Sequence, residues 1–512
     1  MRIFNVLRNS SYSILSFVFI SLLSIFVRKQ FTEYLPIELL GIESLFTNVV
    51  SILSLAELGI SSVINYSLYK ALASNDKNEI NIIMNIYRYL YSCVGCFVLF
   101  IGVILYFFLP LLLKNEVNIS WNYIRLVYFI QIFTILSTYF IAYKRSLFSA
   151  DQKDYKCIKI DTICKSLDNV VRILAIISFK SYVLYALSSL FFNILANVII
   201  SHNVDKNYKF ITKQKITLDD IRSRNFFKDI KNIFVHKIAG ILYGGSDSII
   251  VTFLLNLKIA GQMSNYLLIH NGVYSVLSKV FQGIIPSIGN LVYTESKEKS
   301  FKVYKTLDLL YTLFGAYICC MYILFFQKFI LLFFGKEFLL PESYVWLLAL
   351  NVFFAMQFEN ACNYRNTYAS FEKDRLYMVL SAISKVVIAM LFIKEYGIAG
   401  LMIGTIAGLA FIIYGRIIIV FKYILNQSIS KYLFRHLIYS AIIVAEILII
   451  RQVITFVNMP LSYTSLIVEG ILATVFMMLV NVIVFYKTEE FRELLQYFYN
   501  VVHIVKQKLY CK

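Results

Sequence analysis

Four ionisable residues stand in one apolar stretch of the sequence: Asp161, Lys165, Asp168 and Arg172, at spacings of four, three and four. At about 100° per residue they fall within about 60° of one another on a helix, on a single face. An ionisable side chain at mid-bilayer depth costs about 2.5–3.5 kcal/mol on insertion scales, so such a face turns towards a cavity, a partner helix or a substrate path. Two readings stay open. Either the charges neutralise one another in a structural ladder, or they line a wet cavity in which Lys165 and Arg172 are available to an anionic ligand. On both, the face is not lipid-exposed.

A second such stretch runs from His236 to Thr294. It reads as two membrane-crossing helices joined by a very short turn, Asn256 to Lys258. The first carries Asp247 near its middle. The second carries His270, and Asn271, Ser275, Ser278 and Gln282 on one face, with Lys279 at its border. Small and polar residues at this spacing also arise from interhelical hydrogen bonding alone, and Lys279, close to one end, is placed to snorkel as well as to bind. Asp247 has no cation four residues away on its own helix. It pairs across helices, binds a cation or is protonated, which makes it the candidate for ion coupling. Farther on, Glu359, Asn363 and Asn366 share a face, with Arg365 near the end of the same span. The candidate contacts for an anionic substrate are therefore Lys165, Arg172, Lys279 and Arg365. Arg88 and Arg125 lie near span ends as interfacial anchors, and Glu446 and Glu469 read as members of structural pairs.

The elements that position these residues follow from composition. The 512 residues are 59% hydrophobic and only 15% charged, with a mean hydropathy of +0.71. Apolar runs of about 20 residues, the length that crosses a bilayer, recur from end to end. Lipid satisfies no backbone groups, so spans are helices or closed barrels, and these runs are too long and too uniformly apolar for the alternation of a barrel. The fold class is an all-α integral membrane protein with about fourteen spans: 10–27, 39–67, 87–113, 122–143, 160–178, 182–201, 233–255, 260–292, 303–326, 342–367, 376–393, 397–421, 434–457 and 463–486. Arg2 and Arg8 precede the apolar run Ile14 to Val27 with no small-residue cleavage site behind it, which reads as an uncleaved first span.

The net charge of +19 does not imply nucleic acid. Lys and Arg gather in alternate loops, after spans four, six, eight, ten and twelve, and the intervening loops carry few. The positive-inside rule then puts the basic side and both termini in the cytoplasm. The longest basic link separates a bundle over 1–205 from one over 233–425, with a linker at 206–232, two extra spans over 426–486 and a tail over 487–512. Gly41 and Gly261 each open a long span that stands second in its half. In the tail Phe491, Leu494, Leu495, Phe498, Val501, Val502, Val505 and Leu509 fall on one helical face. This suits an interfacial helix or one packed on the protein itself.

Several classes of chemistry are excluded by what is missing. There is no G-x-x-x-x-G-K-[ST], no H-E-x-x-H, and the five histidines are scattered. No catalytic residue, metal site or cofactor is expected. The eight cysteines lie mostly inside spans, and Cys93 and Cys96 read as helix-packing residues, not as a redox pair.

Short motifs along the chain carry a resemblance. They are Ala56-Glu57-Leu58-Gly59-Ile60-Ser61-Ser62 with Asn75-Asp76 downstream, Ser246-Asp247-Ser248-Ile249-Ile250, Ala260-Gly261-Gln262-Met263-Ser264-Asn265-Tyr266, and Pro286-Ser287-Ile288-Gly289-Asn290. With the span count and loop placement, they resemble the polysaccharide transporters, the O-antigen (Wzx-type) flippases of the multidrug/oligosaccharidyl-lipid/polysaccharide exporter superfamily, whose drug-exporting branch is MATE. The resemblance implies two six-helix bundles around a central cavity plus two C-terminal helices. It implies a substrate, an oligosaccharide on undecaprenyl diphosphate, moved across the bacterial cytoplasmic (inner) membrane for surface polysaccharide, O-antigen or lipopolysaccharide assembly. It further implies alternating access driven by a proton or sodium gradient, membrane lipids as partners and proximity to polysaccharide polymerase machinery. Asp247 is the acidic residue that falls on a family-like motif. The alternatives are an ion-coupled multidrug antiporter and a membrane-embedded polysaccharide polymerase; the first is expected to have an anionic cavity and the second a large outer loop.

Overall fold

In the computed structural model, residues 2–57, 60–113, 119–214, 238–282, 295–367, 371–457 and 459–497 are described, together with residues 216, 288 and 499. Every regular element among them is helical, because a helix satisfies its backbone groups within its own segment where lipid cannot. The chain divides into two compact units, Met1–Lys279 and Val280–Lys512.

The first unit holds α1 (Arg2–Tyr34), α2 (Ile37–Leu53), α3 (Ile60–Ala73), α4 (Lys77–Leu113), α5 (Trp121–Ile141), the short α6 (Arg145–Ala150), α7 (Tyr155–Phe179), α8 (Tyr182–Asn207), α9 (Asp247–Leu254) and all but the last three residues of α10 (Leu257–Gln282). Local chemistry marks the boundaries. Asp76 accepts from the backbone N–H groups of Asn78 and Glu79 at 3.1 and 3.0 Å and so caps α4. Lys180 closes α7 in the left-handed conformation, at φ 46°, and the Ser181 hydroxyl then caps α8 by accepting from Leu184 N. α8 outlasts the expected span, and the start of the basic linker is stitched back to α4. Thr212 N donates to Asn81 Oδ1 at 2.9 Å, and Asn85 Nδ2 donates to Thr212 O at 2.8 Å. Residues 215 and 217–237, with linker cations such as Arg222 and Lys228, lie outside the described residues.

α2 and α10 meet at Gly41 and Gly261. A Cβ on Gly261 would stand 2.5 Å from the Ile37 carbonyl oxygen, and one on Gly41 would overlap the Leu257 carbonyl. Small residues allow helix backbones this close approach. α9 and α10, which the loop pattern assigns to the second bundle, thus pack inside the first unit.

The second unit holds α11 (Lys297–Phe333), α12 (Glu342–Gln357), α13 (Glu359–Thr367), α14 (Phe371–Tyr396), α15 (Ile398–Ile418) with a π-helical continuation (Ile419–Ile424), α16 (Ile429–Val457) and α17 (Tyr463–Phe485). α11 and α16 are tied at Asp308, which is fully buried. Arg435 Nη2 donates to its Oδ2 at 2.9 Å, Tyr432 OH donates to its Oδ1 at 3.1 Å, and His436 Nε2 lies 2.9 Å away. The two structural carboxylates behave as expected: Glu469 takes Lys328 at 2.6 Å, and Glu446 accepts from Asn481 Nδ2 at 3.3 Å.

The tail begins as a helix packed on the protein. Over 489–497, Phe491 and Leu494 are buried with Leu309, Tyr439 and Phe485. Glu489 and Glu493 reach Lys302 at 2.8 and 2.6 Å, and Glu490 lies 3.3 Å from Lys305. Of the remaining apolar face, Leu495 is exposed; Phe498, Val501, Val502, Val505 and Leu509 lie outside the described residues.

Ten helices among the described residues are long and apolar enough to cross a membrane, so the chain is a multi-pass membrane protein. The other expected spans differ for identifiable reasons. Span 39–67 is interrupted by a 3-10 turn, Ser54–Glu57. Span 160–178 lies in α7, whose six charged residues, Lys156 and Lys159 with the four of the inward face, lower its hydropathy. Span 233–255 is broken at Ser246, and 260–292 runs beyond the described residues, as do Leu58 and Gly59 and most of Pro286 to Asn290. Cys93 and Cys96 are free and exposed on α4, so they do not pack between helices.

Candidate functional site

The charged face of α7 lines a cavity of about 450 Å³ in the first unit. Its walls come from α2 (Glu43, Thr47), α5 (Gln131, Thr134, Thr138), α6 (Arg145), α7 (Asp161, Lys165, Asp168, Arg172) and α8 (Tyr185, Asn193, Asn197). The period that places four charges on one side of α7 is what aims them all inward.

The charges do not neutralise one another along α7 alone. Asp161 is held from α6 by a two-pronged ion pair: Arg145 Nη1 donates to Oδ2 at 2.8 Å and Nη2 to Oδ1 at 2.7 Å. The planar guanidinium matches both carboxylate oxygens, the geometry in which such pairs are strongest. Arg145 is itself steered by Asn197, whose Oδ1 accepts from its Nε at 2.8 Å. Asp168 and Arg172 do pair within the helix, Nε to Oδ1 at 3.1 Å, and Ser188 donates a second hydrogen bond to Asp168 at 2.6 Å. Arg172 also lies 4.4 Å above the Tyr185 ring and donates to its hydroxyl at 3.2 Å. Tyr185 OH in turn donates to Glu43 Oε1 at 3.1 Å, and Arg28 closes the chain at 3.1 Å from Glu43 Oε2.

Three carboxylates, Glu43, Asp161 and Asp168, are therefore each matched by an arginine: Arg28, Arg145 and Arg172. Lys165 is left over. It is exposed within the wall and makes no ion pair with any described residue, so the network carries one surplus positive charge on a flexible stem. Lys165 and Asp161 also border a second cavity of about 420 Å³. That one is lined by serines and apolar residues of α1, among them Ser16, Phe17, Ile20 and Ser24, and by Asn271, Gly272 and Ser275 of α10. Lys165 thus stands where a polar chamber meets a more apolar one.

The other expected site residues are distributed elsewhere. Arg172 reaches the cavity, but as the partner of Asp168. Arg365 lies in the second unit, 4% exposed, 2.6 Å from the fully buried Asp374 and near Arg416; none of the described cavities is lined by it. Lys279 lies on α10, and its side chain is outside the described residues. Asp247 is not mid-helix. It stands in the first turn of α9, directly after the bend at Ser246. Asn271 and Ser275 do share a cavity wall, whereas Asn363 donates to Tyr311 OH at 2.8 Å in the interior of the second unit. Arg125 lies 5.5 Å from the Tyr106 ring.

Arg28, Glu43 and Arg145 are site residues that spacing along one helix does not single out. In the sequence Arg145 is one cation among those of the loop after span four. Glu43, an acid inside an apolar span, carried the same signal as Asp247. The pairing partners of all three come from other helices, so spacing along one helix could not expose them.

No curated protein matches the chain. Among solved structures, it is similar to the lipid II flippase MurJ in an inward closed conformation, with a TM-score of 0.71 and 14% identity, covering 93% of this chain and 98% of that one. It is also similar to an inward-facing multidrug resistance MATE family transporter of the MOP superfamily, with a TM-score of 0.59 and 12% identity, over 79% of this chain and 97% of that one. At such identities the likeness establishes the fold. The family model of the polysaccharide biosynthesis proteins matches residues 6–292, more than half of the sequence, and the chain is a member of that family.

Proposed function

We propose that this protein is a flippase that carries an oligosaccharide linked to undecaprenyl diphosphate across the bacterial cytoplasmic membrane, for assembly of a surface polysaccharide such as O-antigen, capsule or exopolysaccharide. The observation that carries the reading is the unpaired Lys165 in the wall of a polar cavity. A sugar diphosphate is anionic and cannot enter hydrocarbon, and a mobile ammonium among hydroxyl and amide groups suits it. Gln131, Thr134, Asn193 and Tyr185 supply the hydroxyl and amide groups and an aromatic edge that sugars require. The second cavity, with its serines and apolar residues, suits the first units of a lipid chain.

The carboxylates of the cavity favour this over export of cationic drugs, since each is already occupied by an arginine. We take the transport cycle to be alternating access between two six-helix bundles, with the linker at 206–232, both termini cytoplasmic, and Asp247 coupling a proton or sodium gradient. No cofactor or catalytic residue enters the scheme, and the polymerase that consumes the flipped unit is the expected neighbour.

The test is complementation of a flippase deletion with surface polysaccharide measured on whole cells. Lys165→Ala lowers export at least about tenfold, the value of one charge-assisted hydrogen bond. Lys165→Glu abolishes it, and Lys165→Arg retains most of it. Full export with Lys165→Glu, at normal protein level, would sink the reading. Asp247→Asn is expected to leave export insensitive to dissipation of the ion gradient and slow in its presence.

A further inference from the structure

The second unit contains a cavity of about 220 Å³ that has no part in the scheme above. It lies where helices end. Its wall is built from Gln327 and Lys328 in the last two turns of α11, Glu342 and Trp346 at the start of α12, and Arg451 and Thr455 in the last two turns of α16. Helix ends joined by short links lie at the boundary of hydrocarbon and water, and α11 alone, at 37 residues, spans about 55 Å against about 30 Å of hydrocarbon. The cavity is at the end of the unit away from the basic first turns of α11.

Three of its polar groups are already committed. Thr455 Oγ1 donates to the Arg451 carbonyl at 2.9 Å. Lys328 is 2.6 Å from the buried Glu469, and Gln327 Nε2 donates to Leu340 O at 2.6 Å. Two are not. Arg451 and Glu342 line the same space, yet neither makes an ion pair with the other or with any described residue. Arg451 is held from one side only, its guanidinium carbon 5.3 Å from the Trp346 ring. Stacking covers one face of the fork and leaves its N–H edge free for two acceptor oxygens. The cavity therefore offers a donor fork and a separate carboxylate, at headgroup depth, in a volume below the ~300–1,000 Å³ that encloses a drug-sized ligand.

We propose that this cavity binds the headgroup of a zwitterionic, amine-bearing phospholipid, with the phosphate on Arg451 and the ammonium on Glu342. An anionic headgroup without an amine meets the Glu342 carboxylate as a like charge. A quaternary amine has no N–H to donate to it. A multi-sugar chain exceeds the space.

The test is lipid retention by the purified full-length protein, read by native mass spectrometry in detergent with phosphatidylethanolamine, phosphatidylglycerol and phosphatidylcholine added in equal amounts. Phosphatidylethanolamine is expected to be retained about tenfold over either of the others, as one charge-assisted contact provides. Arg451→Ala lowers retention of phosphatidylethanolamine to the level of the others. Glu342→Gln, at an exposed position, removes the preference over phosphatidylglycerol while leaving phosphate binding in place. Equal retention of the three lipids by the unaltered protein, or an unchanged preference in both variants, would overturn the assignment. So would displacement of the lipid by equimolar soluble glycerophosphoethanolamine, since the free ester would then be the ligand.

Discussion

Gly41 of α2 and Gly261 of α10 stand against each other, with the Gly261 Cα hydrogen side 3.2 Å from Gly41 N when extended by a methyl. The contact brings two backbones of the first unit together 220 positions apart in sequence, and any side chain at either position meets a carbonyl, not a yielding side-chain tip. Gly41→Ala and Gly261→Ala are each expected to lower stability by about 1–3 kcal/mol through overpacking. Gly470→Ala, at a position with open space around it, is the control and leaves stability unchanged or raised. Thermal unfolding in detergent, followed by circular dichroism, reads all three.

The bidentate Arg145–Asp161 pair keeps Asp161 away from Lys165, its neighbour one helical turn along α7. Arg145→Gln releases Asp161, which then takes the Lys165 ammonium at the favourable i,i+4 spacing. Export is expected to fall several-fold although Lys165 is intact. Adding Asp161→Asn removes the competitor and restores export. A double variant no better than Arg145→Gln alone would show that the pair matters for structure and not for the freedom of Lys165.

Asp308 gathers two donors, Tyr432 OH and Arg435 Nη2, and the His436 ring at one buried carboxylate. Asp308→Ala strands the Arg435 guanidinium and the His436 ring, and is expected to cost about 3 kcal/mol or more. Pairing it with Arg435→Met removes the stranded charge as well, so the double variant is less destabilised than the sum of the single changes. Strict additivity in thermal unfolding would contradict the coupling.

The tail helix is docked by Phe491 and Leu494 and by carboxylates on Lys302 and Lys305. Phe491→Ala with Leu494→Ala is expected to release it, seen as rapid proteolysis or amide exchange confined to residues beyond Phe485. The hydrogen bond from Lys302 holds the Glu489 carboxyl below its usual range. A depressed carboxyl contributes above its unfolded value, about 4.3, and loses that contribution as pH falls through the lower folded value. Docking is therefore expected to be level from pH 8 down to about 5 and to weaken only in stronger acid; release at pH 6 would point to another group.

The sequence by itself determined the class of this protein. Recurring apolar runs about 20 residues long, with most of the cations gathered in the loops between them, fit a bilayer and no other solvent, and a bilayer permits little besides helices. The helical period also made the inward face of α7 legible, because Asp161, Lys165, Asp168 and Arg172 lie on one helix, where spacing equals geometry. The tertiary structure decided which of those charges is free. Asp161 is claimed by Arg145 across a loop, Glu43 by Arg28 from another helix, and Arg365 by Asp374 across the gap between α13 and α14. An ion pair forms wherever two opposite charges meet in space at low dielectric, and meeting in space is a property of packing that no local pattern encodes. The same holds for Gly41 and Gly261, each legible as a glycine in a long span, whose reason for being glycine is a backbone more than two hundred residues away.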